Sequence, residues 1–269
     1  MKRLWAVALL ASMVGVTACG GTSGSSAVVG RELWDEIQDR KVLRVAMTLQ
    51  FPPQFYRDPA TREPAGYDVE MLKLLAKDLG AELEIKDMDF TGQIPALLAG
   101  QVDMVVNGLV NTPERAKAVQ FSEPYVPYAL VLMTQKGAAL KSAAELNRSG
   151  KVVAALLGSV SDNLARARFP QADVRGLDRQ ESCMMEVASK RADACLLEQY
   201  LAIPFVRNNP QTTELFMPAE PLATQYGCIA VRYGNPRFLY WLDNWIRHQK
   251  ASGLLDALYD RIIGPSLTI

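Results

Sequence analysis

Hydrophobic and polar residues follow two different periods along this chain, and each period predicts one kind of element. Apolar residues spaced three and four apart predict amphipathic helices, whereas short apolar or alternating runs predict strands. The first half of the chain reads helix, strand, helix, strand, helix, strand, over residues 31–40, 41–47, 67–80, 81–88, 92–100 and 102–108. Strands that alternate with helices favour a parallel sheet with helices on both faces.

A second set of elements follows in similar order. Strands are predicted over residues 151–158, 172–177 and 192–198, with helices over 161–169 and 179–191 between them. Two long segments, 125–137 and 224–234, run out to this set and back, and two amphipathic helices, 236–250 and 253–263, close the chain.

This order of elements predicts an α/β fold of two Rossmann-like lobes joined by two crossover segments. Lobe 1 is expected to comprise residues 33–131 and 226–269, and lobe 2 residues 132–225. Because ligands of open α/β sheets bind outside the carboxyl ends of the strands, a ligand cleft is expected between the lobes.

Residues 1–18 predict a signal peptide, because Lys2 and Arg3 precede an apolar run that is short for a membrane span. The run ends in Val-Thr-Ala and Cys19, which resembles a bacterial lipobox, where the cysteine is lipidated and becomes the N-terminus. An ordinary cleaved signal that contains a cysteine is the alternative. Residues 19–32 begin with a glycine- and serine-rich run and predict a flexible tether.

Charge, cysteine and histidine content narrow the classes of function. Removal of residues 1–18 leaves 27 of the 29 basic residues against 29 acidic ones, without the basic footprint of nucleic-acid binding. Beyond Cys19, the three cysteines Cys183, Cys195 and Cys228 fit no zinc spacing and allow at most one disulfide. His248 is the single histidine, expected at the surface, so no histidine triad, metal site or cofactor is predicted.

Arg115 follows a helix start that does not suit a cation. Thr112 as N-cap and Pro113 at the first helical position predict a helix whose dipole opposes a positive charge in its first turn. Since the preceding strand ends near Asn107, this helix would open at the carboxyl edge of the sheet, where it favours an anion. The planar fork of Arg115 is therefore predicted to bind a ligand's carboxylate. A surface arginine paired with Glu114 or another acid is the alternative.

Several short motifs, each weak alone, occur in an order typical of one family. They are Phe51-Pro52-Pro53, Gly66-Tyr67-Asp68-Val69-Glu70, Gly100-Gln101-Val102-Asp103, Thr112-Pro113-Glu114-Arg115, Phe121-Ser122-Glu123-Pro124-Tyr125, Ala192-Asp193-Ala194 and Tyr259-Asp260-Arg261. From about Trp34 to about Gly264 the chain resembles the bacterial extracellular solute-binding proteins that deliver polar amino acids to ABC transporters. The resemblance implies the type II periplasmic binding protein fold, an amino acid or related zwitterion as ligand and a transporter permease as partner. With the lipobox, we expect a monomer anchored by lipid in the cell envelope.

The resemblance also implies roles for single residues. Arg115 would grip the α-carboxylate of the ligand, and Glu198, at the acid position that follows Asp193, would accept its ammonium group. Glu198 is longer than the family's usual aspartate, and a solvated glutamate at a strand end is the alternative. Phe51 and Phe90 would sandwich the ligand side chain, although either could belong to the core.

Four further positions complete the predicted ligand site, namely Gly108, Val110, Ser159 and Val160. The family often has hydroxyl side chains where this chain has Val110 and Val160, so only their backbone N–H groups would serve. Gln54 likewise replaces an expected aromatic residue. These departures predict a ligand that is a variant on the amino-acid theme.

Thr48 and Gln50 bear on the charge of that ligand. The family's lysine and arginine binders place an acid in the loop before Phe51, where the only polar residues of this chain are Thr48 and Gln50, both uncharged. A buried cation without an acid is costly, so a strongly basic ligand is not expected.

Two other functions stay open on sequence alone. Cyclohexadienyl dehydratases resemble the same family, and their chemistry needs an acid in the cleft, for which Glu198 is the candidate. A ligand-sensing subunit that docks on a membrane receptor would show the same motifs as a transport protein.

Overall fold

The secondary structure of this chain, seen in a computed structural model, is described for residues 31–216 and 222–267. The predicted signal peptide, Cys19 and the tether as far as residue 30 lie outside these ranges. The helices are α1 (Leu33–Arg40), α2 (Tyr67–Leu79), α3 (Gln93–Leu98), α4 (Val160–Arg168), α5 (Gln180–Ala188), α6 (Gln199–Asn208), α7 (Pro236–Ala251) and α8 (Leu254–Ile262). The strands are β1 (Val42–Met47), β2 (Gln50–Phe51), β3 (Phe55–Arg57), β4 (Pro64–Ala65), β5 (Glu82–Asp87), β6 (Met104–Val110), β7 (Gln120–Phe121), β8 (Val126–Gln135), β9 (Val152–Leu156), β10 (Asp173–Leu177), β11 (Ala194–Glu198), β12 (Thr213–Leu215) and β13 (Ala223–Val231).

The main sheet contains two parallel groups of strands with an antiparallel pair between them. Its order is β10-β9-β11-β8-β13-β6-β1-β5. Strand β1 is parallel to β5 and β6, and β9 is parallel to β10 and β11. The crossover strands β8 and β13 pair antiparallel with each other and with their outer neighbours β11 and β6. The predicted parallel sets are therefore present, and the two long connections join them through a short ladder from Val126 to Leu130.

Strand β1 is held to the strand beside it by an aspartate, and the second parallel group uses the same device. Asp103, just before β6, accepts a hydrogen bond from the Arg44 backbone N–H at 2.8 Å and pairs with the Arg44 guanidinium at 2.8 Å. Asp193, just before β11, accepts from the Val152 N–H at 2.9 Å and pairs with Lys151 at 2.6 Å. The two aspartates of the sequence motifs therefore have a structural use in each half of the molecule.

Glycines begin and end helix α2. Gly66 has φ of 115°, and a Cβ atom there would lie 2.4 Å from the Gln54 carbonyl oxygen, so no larger residue fits without a shift. Gly80 ends the helix in the left-handed conformation and donates its N–H to the Ala76 carbonyl. Between them, apolar side chains at helical spacing are buried against the sheet, including Leu72 and Leu75.

Two expectations about helices differ from the structure. The helix predicted to start at Thr112 is wrong, because only a single 3₁₀ turn, Arg115–Lys117, forms before the chain returns to pair as β7 with β13. Helix α6 was not predicted, since Pro204 interrupts its pattern. It forms because Leu201 and Ile203 are buried, which offsets the cost of an interior proline.

Several smaller expectations concern termini, thiols and the histidine. Glu32 accepts a hydrogen bond from the Arg237 backbone N–H at 2.5 Å, so the end of the predicted tether contacts the body. Cys183, Cys195 and Cys228 are buried free thiols, and His248 is exposed on α7.

None of the helices in the described ranges has the length and hydropathy to cross a membrane. The lobe boundaries given above stay a prediction.

Candidate functional site

The eight residues predicted to bind ligand all line one cavity. It encloses about 410 Å³ of empty space, part of which is open to solvent. The predicted lining residues are Phe51, Phe90, Gly108, Val110, Arg115, Ser159, Val160 and Glu198. They come from the end of β2, the loop after β5, the end of β6, the turn after it, the start of α4 and the end of β11. The cavity therefore lies where strands of both parallel groups end, as the topology predicts.

Arg115 reaches into this cavity without a carboxylate partner. Its Nη1 donates to the Val110 carbonyl at 2.9 Å, and its Nη2 donates to the Gly158 carbonyl at 3.1 Å. Gly158 follows β9, so the second hydrogen bond reaches the other parallel group of strands. The guanidinium carbon lies 5.4 Å from the centroid of the Phe90 ring. No acidic side chain of the described residues forms an ion pair with it, and Glu114 pairs with Lys117 instead at 2.6 Å. The predicted alternative of a surface pair with Glu114 is therefore wrong.

The electrostatic setting of Arg115 differs from the one predicted. Because the expected helix is absent, the dipole that was predicted to oppose the guanidinium is absent as well. Burial lowers the pKa of Arg115 to about 10, since the charged form loses hydration that no anion replaces. Thr112 still closes the local turn, because its Oγ1 accepts from the Arg115 N–H at 3.2 Å.

Glu198 is the only acid among the residues that line the cavity, and it too lacks a counter-ion. It lies at the last position of β11 and is half-buried. Burial raises the pKa of its carboxyl group. Among the described cations, none forms an ion pair with Glu198. Counting the described residues alone, the cavity thus holds one cation and one acid without a partner of opposite charge.

Aromatic rings form much of the remaining wall. Phe51 and Phe55 are buried, with ring centroids 5.0 Å apart, and Phe90 lies under Arg115. The tyrosine rings of Tyr128 and Tyr200 are 5.9 Å apart and line the same cavity. The sequence analysis missed Phe55, Tyr128 and Tyr200. Nothing in the sequence around them indicates that strand β8 and helix α6 meet at this cavity.

Tyr128 is seated between two glycines of neighbouring strands. A Cβ atom on Gly108, which has φ of 59°, would lie 2.7 Å from the Tyr128 hydroxyl oxygen. A Cβ atom on Gly227 would lie 2.7 Å from the Tyr128 ring. Gly108 therefore serves the site by leaving room for this ring.

A buried polar network lies next to the Tyr128 hydroxyl. Gln54 Nε2 donates to Tyr128 and, at 3.2 Å, to Asp68 Oδ1. The Tyr125 hydroxyl donates to Asp68 Oδ2 at 2.9 Å. Asp68 is fully buried among these neutral donors, and burial raises its pKa to about 7 against the opposing effect of the two hydrogen bonds. Gln54, which the sequence analysis noted as a departure, therefore links this carboxyl group to the cavity wall.

Ser159 and Val160 lie at the start of α4. Ser159 is its N-cap, and its Oγ accepts from the Asp162 N–H at 3.1 Å. The Val160 N–H belongs to the first turn, which has no intrahelical acceptor, so it is a free donor unless a ligand or water binds it. Leu156 from β9 also lines this side of the cavity.

Asn107, a further lining residue that the sequence analysis used only to mark a strand end, is buried in β6. Its Oδ1 accepts a hydrogen bond from the Thr48 N–H at 2.9 Å. Thr48 is itself fixed, because its hydroxyl donates to the Met88 carbonyl at 2.8 Å and accepts from Gln93 at 2.8 Å.

The fold and the cavity together define a two-lobed α/β binding protein with its ligand cleft between the lobes. Residues 43–265 match the bacterial extracellular solute-binding proteins, family 3, and the chain belongs to this family. Among the curated relatives, it is 30% identical over 236 residues to the arginine-binding extracellular protein ArtP of Bacillus subtilis (strain 168), covering 86% of this chain and 87% of the relative. It is 28% identical over 262 residues to the L-cystine-binding protein TcyJ of Escherichia coli (strain K12), covering 96% of each chain.

Solved structures agree with the type II periplasmic binding protein fold. The ancestral amino acid-binding protein AncCDT-1, described as a precursor of cyclohexadienyl dehydratase, matches with a TM-score of 0.78 and 31% identity over 86% of this chain and 99% of that one. A putative ABC transporter binding component from Wolinella succinogenes DSM 1740, complexed with lysine, matches with a TM-score of 0.77 and 25% identity over 83% and 96%. Relatives of similar identity thus carry different ligand names.

Proposed function

We propose that this protein captures an amino acid or a similar small zwitterion by closure of its cleft and delivers it to the permease of an ABC transporter. One observation carries the proposal. Arg115 and Glu198 line the same cavity, are withdrawn from solvent, and have no counter-ion among the described residues. An α-amino acid carries a carboxylate and an ammonium group a short distance apart, so one ligand supplies both missing partners.

The two charged residues come from different halves of the sheet, which links binding to closure. Arg115 follows β6, and Glu198 ends β11. A ligand that contacts both gains its full interaction energy only when the two halves are close together. Binding therefore stabilises the closed conformation over the open one, which is the differential affinity that a conformational change requires.

Uncharged ligand side chains fit this cavity best. Once Glu198 accepts the α-ammonium group, no second acid among the lining residues is left for a basic side chain. Phe51, Phe55 and Phe90 offer apolar surface instead. The arginine and lysine in the names of relatives therefore do not transfer to this chain.

Export and anchoring complete the proposal. We infer that residues 1–18 are removed, that Cys19 carries the lipid, and that the body works as a monomer tethered in the cell envelope. The family match supports export, because its members are extracellular solute-binding proteins.

A thermal-shift screen of the protein from residue 20 tests the binding function. A ligand at a hundredfold its dissociation constant adds about 2.7 kcal/mol to the free energy of unfolding. Neutral amino acids are expected to raise the melting temperature, with calorimetry to confirm one site per chain. Tight lysine or arginine binding, with neutral amino acids inert, would contradict the neutral ligand class. No shift with any amino acid would contradict the whole proposal.

One observation favours a second candidate function, that of a dehydratase. Burial raises the pKa of Glu198, which favours the protonated form of the carboxyl group, and a protonated carboxyl group is the form that donates a proton to a leaving hydroxyl. This function predicts that the protein converts a cyclohexadienyl substrate with loss of water and that Glu198→Gln abolishes turnover. Under the binding function the substrate is recovered unchanged.

A further inference from the structure

The cavity offers a hydrogen-bond donor that neither end of a zwitterion requires. Arg115 and Glu198 account for the carboxylate and the ammonium group under the proposed function, on which this inference rests. Asn107 also lines the cavity, with 6% of its surface exposed. Its Nδ2 group has no hydrogen-bond acceptor among the described residues.

The hydrogen bond from the Thr48 backbone N–H fixes the orientation of the Asn107 amide. The Thr48 backbone N–H can only donate, so the atom that faces it at 2.9 Å must be the carbonyl oxygen Oδ1. Thr48 cannot turn away, because its hydroxyl is held by Met88 and Gln93 at 2.8 Å each. The amide nitrogen of Asn107 therefore occupies the other position, where it presents N–H donors.

We propose that Asn107 determines specificity by donating a hydrogen bond to an uncharged oxygen on the ligand's side chain. A carboxamide or a hydroxyl group carries such an oxygen. A ligand with a purely apolar side chain leaves a buried donor unsatisfied, which is the arrangement by which polar sites reject apolar analogues. A second carboxylate fits less well, because Arg115 already serves the first and Glu198 lines the same cavity.

Pairs of amino acids of similar shape test this proposal in the full-length mature protein. The pairs are L-asparagine with L-leucine, L-glutamine with L-methionine, and L-threonine with L-valine. Calorimetry is expected to show at least tenfold tighter binding of the oxygen-bearing member in the pair that fits the cavity best.

Asn107→Leu removes the donor and keeps a side chain of similar size. The variant replaces both polar atoms of the amide with methyl groups, so it offers a ligand neither a donor nor an acceptor. The measured quantity is the ratio of the two dissociation constants within the preferred pair, because any effect on the common α-carboxylate cancels. This ratio is expected to fall at least tenfold. Asn163→Leu, the same change at an exposed position on α4, is expected to leave it unchanged.

Three results would overturn the proposal. Apolar members that bind as tightly as their oxygen-bearing partners in all three pairs would show that no side-chain oxygen is recognised. A pair ratio that survives Asn107→Leu would show that another group recognises the ligand's side chain. If none of the six amino acids binds while another amino acid does in the thermal-shift screen, this inference fails alone; all three results leave amino-acid binding intact, and only a screen in which no amino acid binds removes the proposed function as well.

Discussion

Replacing Arg115 by alanine and by lysine separates a ligand-binding arginine from a structural one. The guanidinium has five N–H donors. Only two of its hydrogen bonds go to protein, to the Val110 and Gly158 carbonyls at 2.9 and 3.1 Å. The remaining donors and the positive charge are without an acidic partner among the described residues. A ligand carboxylate that binds there replaces the hydration that burial removed.

The expected effect on the ligand-free protein is small because two contributions oppose each other. Loss of the two hydrogen bonds costs about 2 kcal/mol in total. Removal of a buried unpaired charge gains about 3.5 kcal/mol, from the fall in the Arg115 pKa from 12.5 to about 10 at about 1.4 kcal/mol per unit. The free energy of unfolding of Arg115→Ala without ligand is therefore expected within about 2 kcal/mol of wild type.

The expected effect on binding is large. Truncating one partner of a buried charge pair costs about 2–5 kcal/mol, which corresponds to a loss of about thirtyfold to a few thousandfold in affinity. Arg115→Lys keeps the charge but loses the planar fork, so its affinity is expected between wild type and Arg115→Ala. Calorimetric titration of the neutral ligand from the screen measures both variants, and urea unfolding without ligand measures stability.

Arg237→Ala is a matched control for these variants. Its guanidinium also lies over an aromatic ring, 4.9 Å from the centroid of Trp34, but it is exposed and pairs with Asp35 at 3.2 Å. This control is expected to bind ligand like wild type. The reasoning is refuted if Arg115→Ala binds as tightly as wild type. It is equally refuted if Arg115→Ala destabilises the ligand-free protein by several kcal/mol, as a broken structural contact would.

Three further outcomes are expected. Cys19→Ala should release the protein from the membrane fraction or block its maturation, and a variant that is processed and fractionates like wild type would contradict the lipid anchor. The pKa of Asp68 is about 7 when folded, above its unfolded value of 3.8, so its stabilising contribution is complete below about pH 4 and is lost as pH rises towards 7. Wild-type stability should therefore fall over that range by up to about 4 kcal/mol more than that of Asp68→Asn, and equal slopes would contradict the raised pKa. Gly66→Ala should lose about 2–4 kcal/mol in urea unfolding through its positive φ and the contact with Gln54, whereas Gly92→Ala, with open space at its Cβ, should change little.

Regular elements of this chain were predictable where a period and a stop signal agree. Helix α2 shows apolar residues at helical spacing and ends at Gly80, and the structure follows the prediction within a residue. The turn at Arg115 shows the opposite case. Thr112 and Pro113 are a good helix start, but a capping signal provides about 1 kcal/mol, and the antiparallel pairing of β7 that follows leaves no length for a helix.

The ligand cavity was partly predictable for a different reason. Arg115 could be singled out because a cation is unfavourable in the first turn of the predicted helix, and Glu198 because motif order placed an acid there. Tyr128 and Asn107 could not be found that way. Their roles depend on what lies beside them in space, namely Gly108 and Gly227 around the Tyr128 ring and the Thr48 N–H behind the Asn107 amide.

The buried and half-buried carboxylates differ in their hydrogen-bond donors and counter-ions, and this difference distinguishes structural carboxylates from a candidate ligand-binding one. Asp103 and Asp193 each accept from a backbone N–H and from a cation, so they need nothing from outside the chain. Asp68 has only neutral donors among the described residues, and burial raises its pKa to about 7, which favours the protonated form at lower pH. Glu198 has neither a cation nor such a set of donors among the described residues, and Arg115 lacks an anion. The described part of the chain gains no stability from two opposite charges that are partly desolvated and unpaired in one cavity. Under the proposed function, a ligand that carries both opposite charges binds between them and makes this arrangement favourable.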